Sequence, residues 1–394
     1  MIFRPFLSIR HRNHDSTYGT CHSARMTAFC TIVPPHVLDR LARTEDAAVS
    51  SAARRTLEHD ARERTRRRLT TVLGATAVSG ATPADQPQRT IDDAKHHDNL
   101  PGHKVRGEGG KPVKDVSVNR AYDALGATFE TYLKAYGRHS IDGSGLPLIA
   151  SVHYLKGYNN AFWNGEQMVF GDGDGTIFLD FTIPLDVIGH ELTHGVTQYT
   201  ANLDYFGQSG ALNESVSDVF GSLIKQFTLG QSADQADWLI GAGLLGPEVH
   251  GVALRSMKAP GTAYDDPRLG KDPQPATMHG YVTTAQDNGG VHLNSGIPNH
   301  AFYLLATELG GNAWEEAGQI WYDTLTGGTL SSHAQFTDFA AATAAAAKAR
   351  YGEGTQHAAV LRAWSQVGVA VSAAAAPALP QQPGPSEAGQ PQQA

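Results

Sequence analysis

The sequence predicts an α+β protein whose N-terminal half is rich in strands and whose C-terminal half is helical. Two stretches, Leu146–Tyr158 and Gln167–Phe181, have strand-like composition and are separated by Gly and Asn clusters. Apolar residues recur at helical spacing over Val116–Tyr136, and after Pro184 a helical pattern covers most of the remaining chain. The length of 394 residues is sufficient for two or three domains.

Composition excludes several classes of protein. Hydrophobic residues make up 41% and charged residues 18% of the chain, which is too apolar for a disordered protein. The chain has no run of about 18 uncharged apolar residues, so a membrane-spanning helix is excluded. Both cysteines, Cys21 and Cys30, lie near the start, and a disulfide framework is therefore excluded for the main body.

Charge is distributed unevenly along the chain. Residues 1–84 contain 13 Lys and Arg against 7 Asp and Glu, whereas residues 85–394 contain 18 against 32. A basic arm on an acidic body can bind nucleic acid, a membrane surface or its own body. The basic stretch Arg62–Arg68 has no recognition motif and no interleaved aromatic residues. We therefore predict no nucleic-acid partner, and no membrane partner.

The N-terminus lacks a clear secretory signal. The stretch Ile2–Ile9 is short and is interrupted by Arg4 and Pro5, whereas a signal needs an apolar core of about 7–15 residues. Residues 1–25 have no periodic pattern, and Met26 is a plausible alternative start.

The segment His190–His194, with the sequence HELTH, has the spacing of a metal site. Residues four apart share one face of a helix, so His190 and His194 can hold one Zn²⁺ with Glu191 beside its open position. Taken alone, the motif also fits two surface histidines and a solvated glutamate.

A third ligand is expected from a neighbouring helix, because catalytic zinc usually has three protein ligands. The segment after residue 213 has an apolar stripe at helical spacing, and Glu214 and Asp218 fall on the opposite face. We predict that Glu214 is the third ligand. We predict that Asp218 supports the site by accepting the free N–H of His190, and we assign Asn213 to the same supporting group.

Five motifs occur in a fixed order along the chain: Asn159–Gly165, Gly171–Gly175, His190–His194, Asn213–Asp218 and Asp287–Gly296. In this order and spacing they resemble the thermolysin family of neutral zinc metalloproteases, the gluzincins, over roughly residues 90–370. The run Pro34–Leu38, followed by an Arg-rich helical stretch, resembles the short propeptide of the protealysin-like subgroup.

The resemblance implies a thermolysin-like zincin fold, with the zinc cleft between a β-rich and a helical half. It also implies a division of the chain. The expected parts are an N-terminal extension of uncertain status (1–25), a basic propeptide (26–85) with a helical segment over 35–68 and an exposed linker over 70–90, a β-rich catalytic half ending in the HELTH helix (86–197), a helical catalytic half (198–372) and a disordered tail (373–394).

The resemblance further implies a zinc-dependent neutral endopeptidase made as a zymogen. Zn²⁺ would lower the pKa of a water toward about 7, and Glu191 would pass the proton of that water to the leaving amine. His292 and Tyr205 match the positions that bind the oxyanion, and Asp287 matches the residue that orients His292. Considered alone, His292 also fits a core histidine.

Substrate contacts are implied by the same resemblance. Asn160 and Ala161 match backbone-binding positions, and Arg255 matches the residue that binds the substrate carbonyl beyond the cleavage point. Four more residues match the pocket for the side chain after the scissile bond, although composition alone assigns them to the core: Phe178, Phe181, Val187 and Leu254. We expect a preference for an apolar residue there and broad specificity overall.

The expected partners are protein and peptide substrates, the chain's own propeptide as an intramolecular inhibitor over the acidic cleft, and a proteinaceous inhibitor. Two alternatives are open for Cys30, which either blocks the zinc or is a small buried residue. We expect a monomer that is secreted without a clear signal peptide, and a cytoplasmic location is the alternative. An inactive relative that only binds peptides is disfavoured because the chemistry-bearing residues are intact.

Calcium binding is where the chain departs from the family. Thermolysin-type members hold a double calcium site with an Asp four residues before the first zinc histidine and a Glu eleven residues after the third ligand. Asp186 is present, but Lys225 stands in place of the Glu. An ammonium has no lone pair for calcium, so we predict that this double site is absent and that Lys225 pairs with Asp186, a solvated lysine being the alternative. Gly171–Gly175 lacks the Gly and Glu of an EF-hand and predicts a turn.

Overall fold

The structure, a computed structural model, describes residues 30–73 and 85–371, with side chains to residue 65 in the first range. The expected N-terminal extension, the alternative start at Met26, much of the linker and the C-terminal tail lie outside these residues. In the described part, no helix is long and apolar enough to cross a membrane.

Ten α-helices are described. They are α1 (Pro35–Leu41), α2 (Ala47–Leu73), α3 (Val116–Tyr136), α4 (Leu185–Tyr199), α5 (Gly207–Leu229), α6 (Asp287–Asn294), α7 (Gly296–Leu309), α8 (Glu316–Thr326), α9 (Phe336–Tyr351) and α10 (Thr355–Gln366). The strands are β1 (Arg89–Asp93), β2 (His103–Gly107), β3 (Leu148–Val152), β4 (Ala161–Trp163), β5 (Met168–Phe170), β6 (Leu239–Ile240), β7 (Arg255–Ser256), β8 (Asp265–Asp266) and β9 (Gly270–Lys271).

The N-terminal half is built on a five-stranded mixed sheet of order β2-β1-β3-β5-β4. Strands β1, β3 and β5 are parallel to one another, and β2 and β4 are antiparallel edges. Helix α3 has the predicted bounds because Asp115 caps its first turn and Gly137 ends it in the left-handed region with φ 62°. The α+β prediction is confirmed.

The strand predictions were too long. Only Leu148–Val152 and Met168–Phe170 join the sheet within the two predicted stretches. The second strand stops because the chain turns at Gly171–Gly175, as predicted, and Asp174 Oδ1 accepts the backbone N–H groups of the next residues, including Thr176 (2.8 Å) and Ile177 (2.7 Å). Side-chain acceptors therefore replace the ladder partners of these amides.

One apolar cluster joins both halves, and residues 30–65 contribute to it. Helices α5 and α7 to α10 form the helical half around buried residues such as Trp321 and Trp364, and α4 at the end of the β-rich half packs against α5. From the first described range, the cluster takes Ile32, Val33, Val37, Leu38, Leu41, Ala42, Val49 and Ala53. This range (residues 30–65), which we call the pro-segment after the predicted propeptide, is therefore packed as part of the core.

Candidate metal centre and cleft

Helices α4 and α5 run antiparallel along a tight seam. A Cβ added at Gly221 would lie 2.5 Å from the Asp186 carbonyl oxygen and 3.1 Å from the His190 nitrogen, so the helices approach this closely only with glycine there. The polar face of α5, with Glu214 and Asp218, is consequently buried against α4. It is not the solvated face that helix carboxylates commonly form.

The three predicted ligands converge at one end of this seam. The Nε2 atoms of His190 and His194 lie 3.0 Å apart, and Glu214 has a carboxylate oxygen 3.6 Å from each of them. His190 Nδ1 is 2.7 Å from Asp218 Oδ1, and His194 Nδ1 is 2.8 Å from Asn213 Oδ1. Because both acceptors hold the Nδ1 protons, the Nε2 lone pairs face each other.

The charge states at this end suit a cation. Burial, reinforced by His190, lowers the pKa of His194 to about 3, so its imidazole is neutral. Burial opposes ionisation of Glu214, but His292, His194 and His190 together lower its pKa to about 2. Glu214 Oε2 has no hydrogen-bond partner although it is buried. Two imidazole nitrogens and one carboxylate facing a common point fit a zinc ion.

The residues predicted for chemistry lie beside the ligands. The backbone N–H of Trp163 donates to Glu191 Oε2 at 3.0 Å. His292 Nδ1 is 2.6 Å from Asp287 Oδ1, and the Tyr205 hydroxyl lies 3.2 Å from His292 Nε2. Burial opposes protonation of His292, but Asp287 and Glu214 raise its pKa to about 9. His292 is thus a buried cationic donor at neutral pH.

A turn of unusual backbone shape aims His292 into the cleft. Asp287, Asn288, Gly289 and Gly290 have φ values of 52°, 50°, 84° and 79° before the regular part of α6 begins. Asp287 Oδ2 also accepts the backbone N–H of His292 at 2.9 Å. The two glycines of this motif therefore allow the positive φ values of the turn that positions the His292 side chain.

The chain is similar to known proteins over most of its length. Residues 82–198 match the profile described as "Thermolysin metallopeptidase, catalytic domain", and residues 201–369 match "Thermolysin metallopeptidase, alpha-helical domain". The chain belongs to the thermolysin family of metallopeptidases. It is 51% identical over 342 residues to an "Extracellular metalloprotease" of Pectobacterium carotovorum subsp. carotovorum, covering 87% of this chain and 97% of that protein.

Two further relatives support the family, and the first of them also supports the protealysin-like subgroup. A solved precursor of protealysin, a metalloproteinase from Serratia proteamaculans, has 52% sequence identity and a TM-score of 0.79, and the match covers 86% of this chain and 100% of the other. A "Thermolysin" of Alicyclobacillus acidocaldarius subsp. acidocaldarius is 41% identical over 263 residues, which is 65% of this chain and 46% of that protein. The predicted resemblance to the protealysin-like thermolysin family is confirmed.

In this family member, Cys30 of the pro-segment lies among the metal ligands. Its thiol donates to Glu214 Oε1 at 2.7 Å, and the ligand atoms of Cys30, His190, His194 and Glu214 all lie within 4.8 Å of one another. The Tyr205 hydroxyl donates to Cys30 Sγ at 2.9 Å. Of the two alternatives left open by the sequence, the placement favours the blocking ligand, because simple burial elsewhere would not bring sulfur to the ligands.

The residues predicted to bind substrate contact the pro-segment backbone. Ala161 on the edge strand β4 accepts the N–H of Ile32 at 3.2 Å, and Arg255 Nη1 donates to the Ile32 carbonyl at 3.0 Å. Asn160 Oδ1 accepts the N–H of Val33 at 2.9 Å. The four predicted pocket residues share the apolar cluster with Ile32: Phe178, Phe181, Val187 and Leu254.

Sequence reasoning missed the link between Asp218 and Arg255. The guanidinium donates to both carboxylate oxygens at 2.8 Å, and Asn299 Nδ2 donates to Asp218 Oδ2 at 2.8 Å. Burial opposes ionisation, but Arg255 and then His190 hold the pKa of Asp218 below its usual range. Asp218 therefore connects His190, a predicted metal ligand, to Arg255, which contacts the pro-segment in the cleft. No local pattern signals this pair, because its members are 37 residues apart.

The other end of the α4–α5 seam contains Lys225. Its Nζ donates to Asp186 Oδ2 at 2.7 Å, and to the Leu239 carbonyl at 2.9 Å, and lies 2.9 Å from Asp237 Oδ1. The predicted pair with Asp186 is present. The side chain is only 12% exposed, which does not fit a solvated lysine.

Proposed function

We propose that this chain is a zinc-dependent neutral endopeptidase made as a precursor, with His190, His194 and Glu214 as metal ligands and Glu191 as general base. One observation carries the proposal. The two Nε2 lone pairs face each other 3.0 Å apart beside a buried carboxylate, and a cation satisfies all three groups. Membership of the thermolysin family supports the same assignment.

Bound by these ligands, zinc supplies Lewis-acid polarisation and a lowered pKa for water. The protein supplies the remaining steps. Glu191, oriented by the Trp163 N–H, takes the proton of the attacking water and delivers it to the leaving nitrogen of the substrate. His292 and Tyr205 donate to the oxygen that becomes negatively charged, and Asp287 keeps the imidazole directed toward it.

The pro-segment is proposed to hold the precursor inactive. It occupies the groups that would bind a substrate backbone, and Cys30 reaches the metal ligands. Processing that removes residues up to roughly 80–90 would open the cleft, which accords with the proposed division at residues 26–85, 86–197 and 198–372. A neighbour described as a precursor supports this order of events.

The remaining properties are proposals of the same kind. Relatives named as extracellular metalloproteases support secretion, by a route without a clear signal peptide. We propose that the protein is a monomer and that it cleaves peptide bonds that precede apolar residues. We also propose that a proteinaceous inhibitor can bind it. The Lys225–Asp186 pair supports the absence of the double calcium site.

Metal content and proteolysis test the proposal together. After removal of the pro-segment, the protein should bind one zinc and cleave casein, a chelator should abolish cleavage, and added zinc should restore it. His190→Ala should lose both metal and activity. The matched variant His333→Ala changes an exposed histidine (77% side-chain exposure) and should keep both. Activity that persists in metal-free protein would contradict the assignment.

A further inference from the structure

The backbone of Thr31, Ile32 and Val33 lies in the cleft with its polar groups paired. The Thr31 carbonyl oxygen is 3.1 Å from His292 Nε2. The Ile32 N–H donates to Ala161 O at 3.2 Å, and the Ile32 carbonyl accepts from Arg255 Nη1 at 3.0 Å. These residues are fixed by the cleft and do not merely cover its entrance.

Asn160 binds the next residue through both ends of its amide. Its Oδ1 accepts the Val33 N–H at 2.9 Å, and its Nδ2 lies 3.4 Å from the Val33 carbonyl oxygen. Ile32, Val33 and Asn160 are all fully buried. A peptide held through both of its backbone groups has a fixed polarity along the cleft.

The N-to-C direction of these residues is the one that a substrate would need for cleavage under the proposed function, on which this inference rests. The Thr31 carbonyl meets His292, a proposed oxyanion donor. The next side chain, Ile32, enters the apolar cluster, and the next carbonyl meets Arg255. A substrate would present the same groups in the same order. We propose that the Thr31–Ile32 peptide bond is a latent cleavage site, held as a substrate and protected by the Cys30 thiol.

The position of the sulfur explains why this bond stays intact. Cys30 Sγ is 2.7 Å from Glu214 Oε1 and 4.0 Å from His292 Nε2, the nitrogen that lies 3.1 Å from the Thr31 carbonyl oxygen, so the sulfur lies beside the ligands on the side of this carbonyl's hydrogen-bond partner. Hydrolysis requires a water at that point. Without the thiol, water adds to the Thr31 carbonyl carbon, Glu191 takes one of its protons, the C–N bond breaks, and that proton passes to the Ile32 nitrogen. The second proton of the water follows to the same nitrogen, so the products are a Thr31 carboxylate and an Ile32 ammonium group.

The test uses the full-length precursor with Cys30→Ala. The protein is purified with a chelator, zinc is added, and intact mass is followed with N-terminal sequencing. A chain that begins at Ile32 should accumulate at a rate independent of protein concentration. Cys21→Ala is the matched control, because it removes the other cysteine, and it should yield no such chain.

Two further variants separate chemistry from placement. Cys30→Ala with Glu191→Gln should bind zinc but stay intact, and hydrogen exchange should show slow Ile32 and Val33 amides because their acceptors remain. Cys30→Ala with Ile32→Asp should lose cleavage at this bond, since a carboxylate replaces the side chain buried in the apolar cluster.

Opposite results overturn the inference in distinguishable ways. If Cys30→Ala binds zinc and cleaves an added peptide but never Thr31–Ile32, the latent site is wrong and the proposed function stands. If it binds zinc and cleaves neither, the latent site is wrong, and casein cleavage by the protein after removal of the pro-segment decides the proposed function. A cleavage rate that rises with protein concentration, or rapid exchange of the Ile32 amide in the intact double variant, also contradicts a substrate held in its own cleft.

Discussion

Each end of the α4–α5 seam has a buried carboxylate that must be neutralised, and the two ends differ in how this is done. At one end, Glu214 converges with His190 and His194, and the His292 imidazole lies 3.4 Å from Glu214 Oε2 at the rim of this group. At the other end, Asp186 lies against the ammonium of Lys225 at 2.7 Å. Both carboxylates are buried and each needs positive charge nearby.

The difference lies in how the positive charge is supplied. A lysine ammonium has three donors and no open coordination position, so it neutralises carboxylates without offering chemistry. Facing imidazole lone pairs need an exchangeable ion that can also bind a water. The seam thus combines a structural end, complete in the chain itself, with an end that we propose to be catalytic and to depend on a bound metal, and which we call the catalytic end.

Glu191→Gln should separate catalysis from metal binding at the catalytic end. The amide cannot take a proton from water, so turnover of a peptide should fall by about 10²–10⁴-fold. Zinc content should not change because Glu191 contacts the Trp163 N–H and is not among the converging ligand atoms. Parallel measurements of kcat and zinc content check this. Loss of the metal in this variant would show that the assigned roles are wrong.

Lys225→Met should destabilise the structural end without affecting the catalytic end. It leaves the buried Asp186 carboxylate without its cation, and the free energy of unfolding should fall by about 3 kcal/mol. Lys225→Glu should go further, because it creates a carboxylate cluster with Asp186 and Asp237. Thermal unfolding of that variant should respond strongly to calcium, while the parent responds weakly. A large calcium response in the parent would contradict the predicted absence of the double site.

Asp218→Asn should weaken metal binding by about 10–100-fold, because it removes the charge behind the His190 imidazole. Competition with a zinc chelator measures the affinity. Asp237→Asn is the control at the structural end and should leave zinc affinity unchanged. If both variants lost zinc equally, the two ends would be coupled and the comparison would fail.

Outside the α4–α5 seam, His153 is a histidine whose protonated side chain would supply positive charge to two carboxylates. Its Nδ1 and Nε2 lie 2.8 Å from Asp172 and Asp115, which raise its pKa to about 9 against the opposing effect of burial. A raised pKa stabilises the fold fully below the ordinary value of about 6.5, and the stabilisation is lost as pH rises through about 9. His153→Asn tolerates the local φ of 55°. Its stability deficit should be about 1 kcal/mol larger at pH 6 than at pH 10, after allowance for partial solvent exposure.

The sequence predicts local features better than contacts between distant segments. The limits of α3 were predictable because a capping Asp and a terminal Gly flank its apolar period. The convergence of His190, His194 and Glu214 could be anticipated from helical geometry within two short segments. The bidentate pair between Asp218 and Arg255 could not, because only the tertiary fold brings those segments together. The place of Cys30 is also a long-range contact, 184 residues from Glu214, and spacing alone cannot separate a ligand from a buried thiol.

Ile32 and Val33 are fully buried within the same apolar cluster as the body of the protein, so the proposed removal of the pro-segment would leave that core unfinished. A mature form would then expose apolar surface that the precursor covers. A substrate that binds with an apolar side chain in this place would complete the core during one turnover, with about 1.5–3 kcal/mol available from burying that side chain. Under the proposed function, each catalytic cycle would therefore also complete and reopen the core, and the mature form without substrate would be the one most exposed to aggregation.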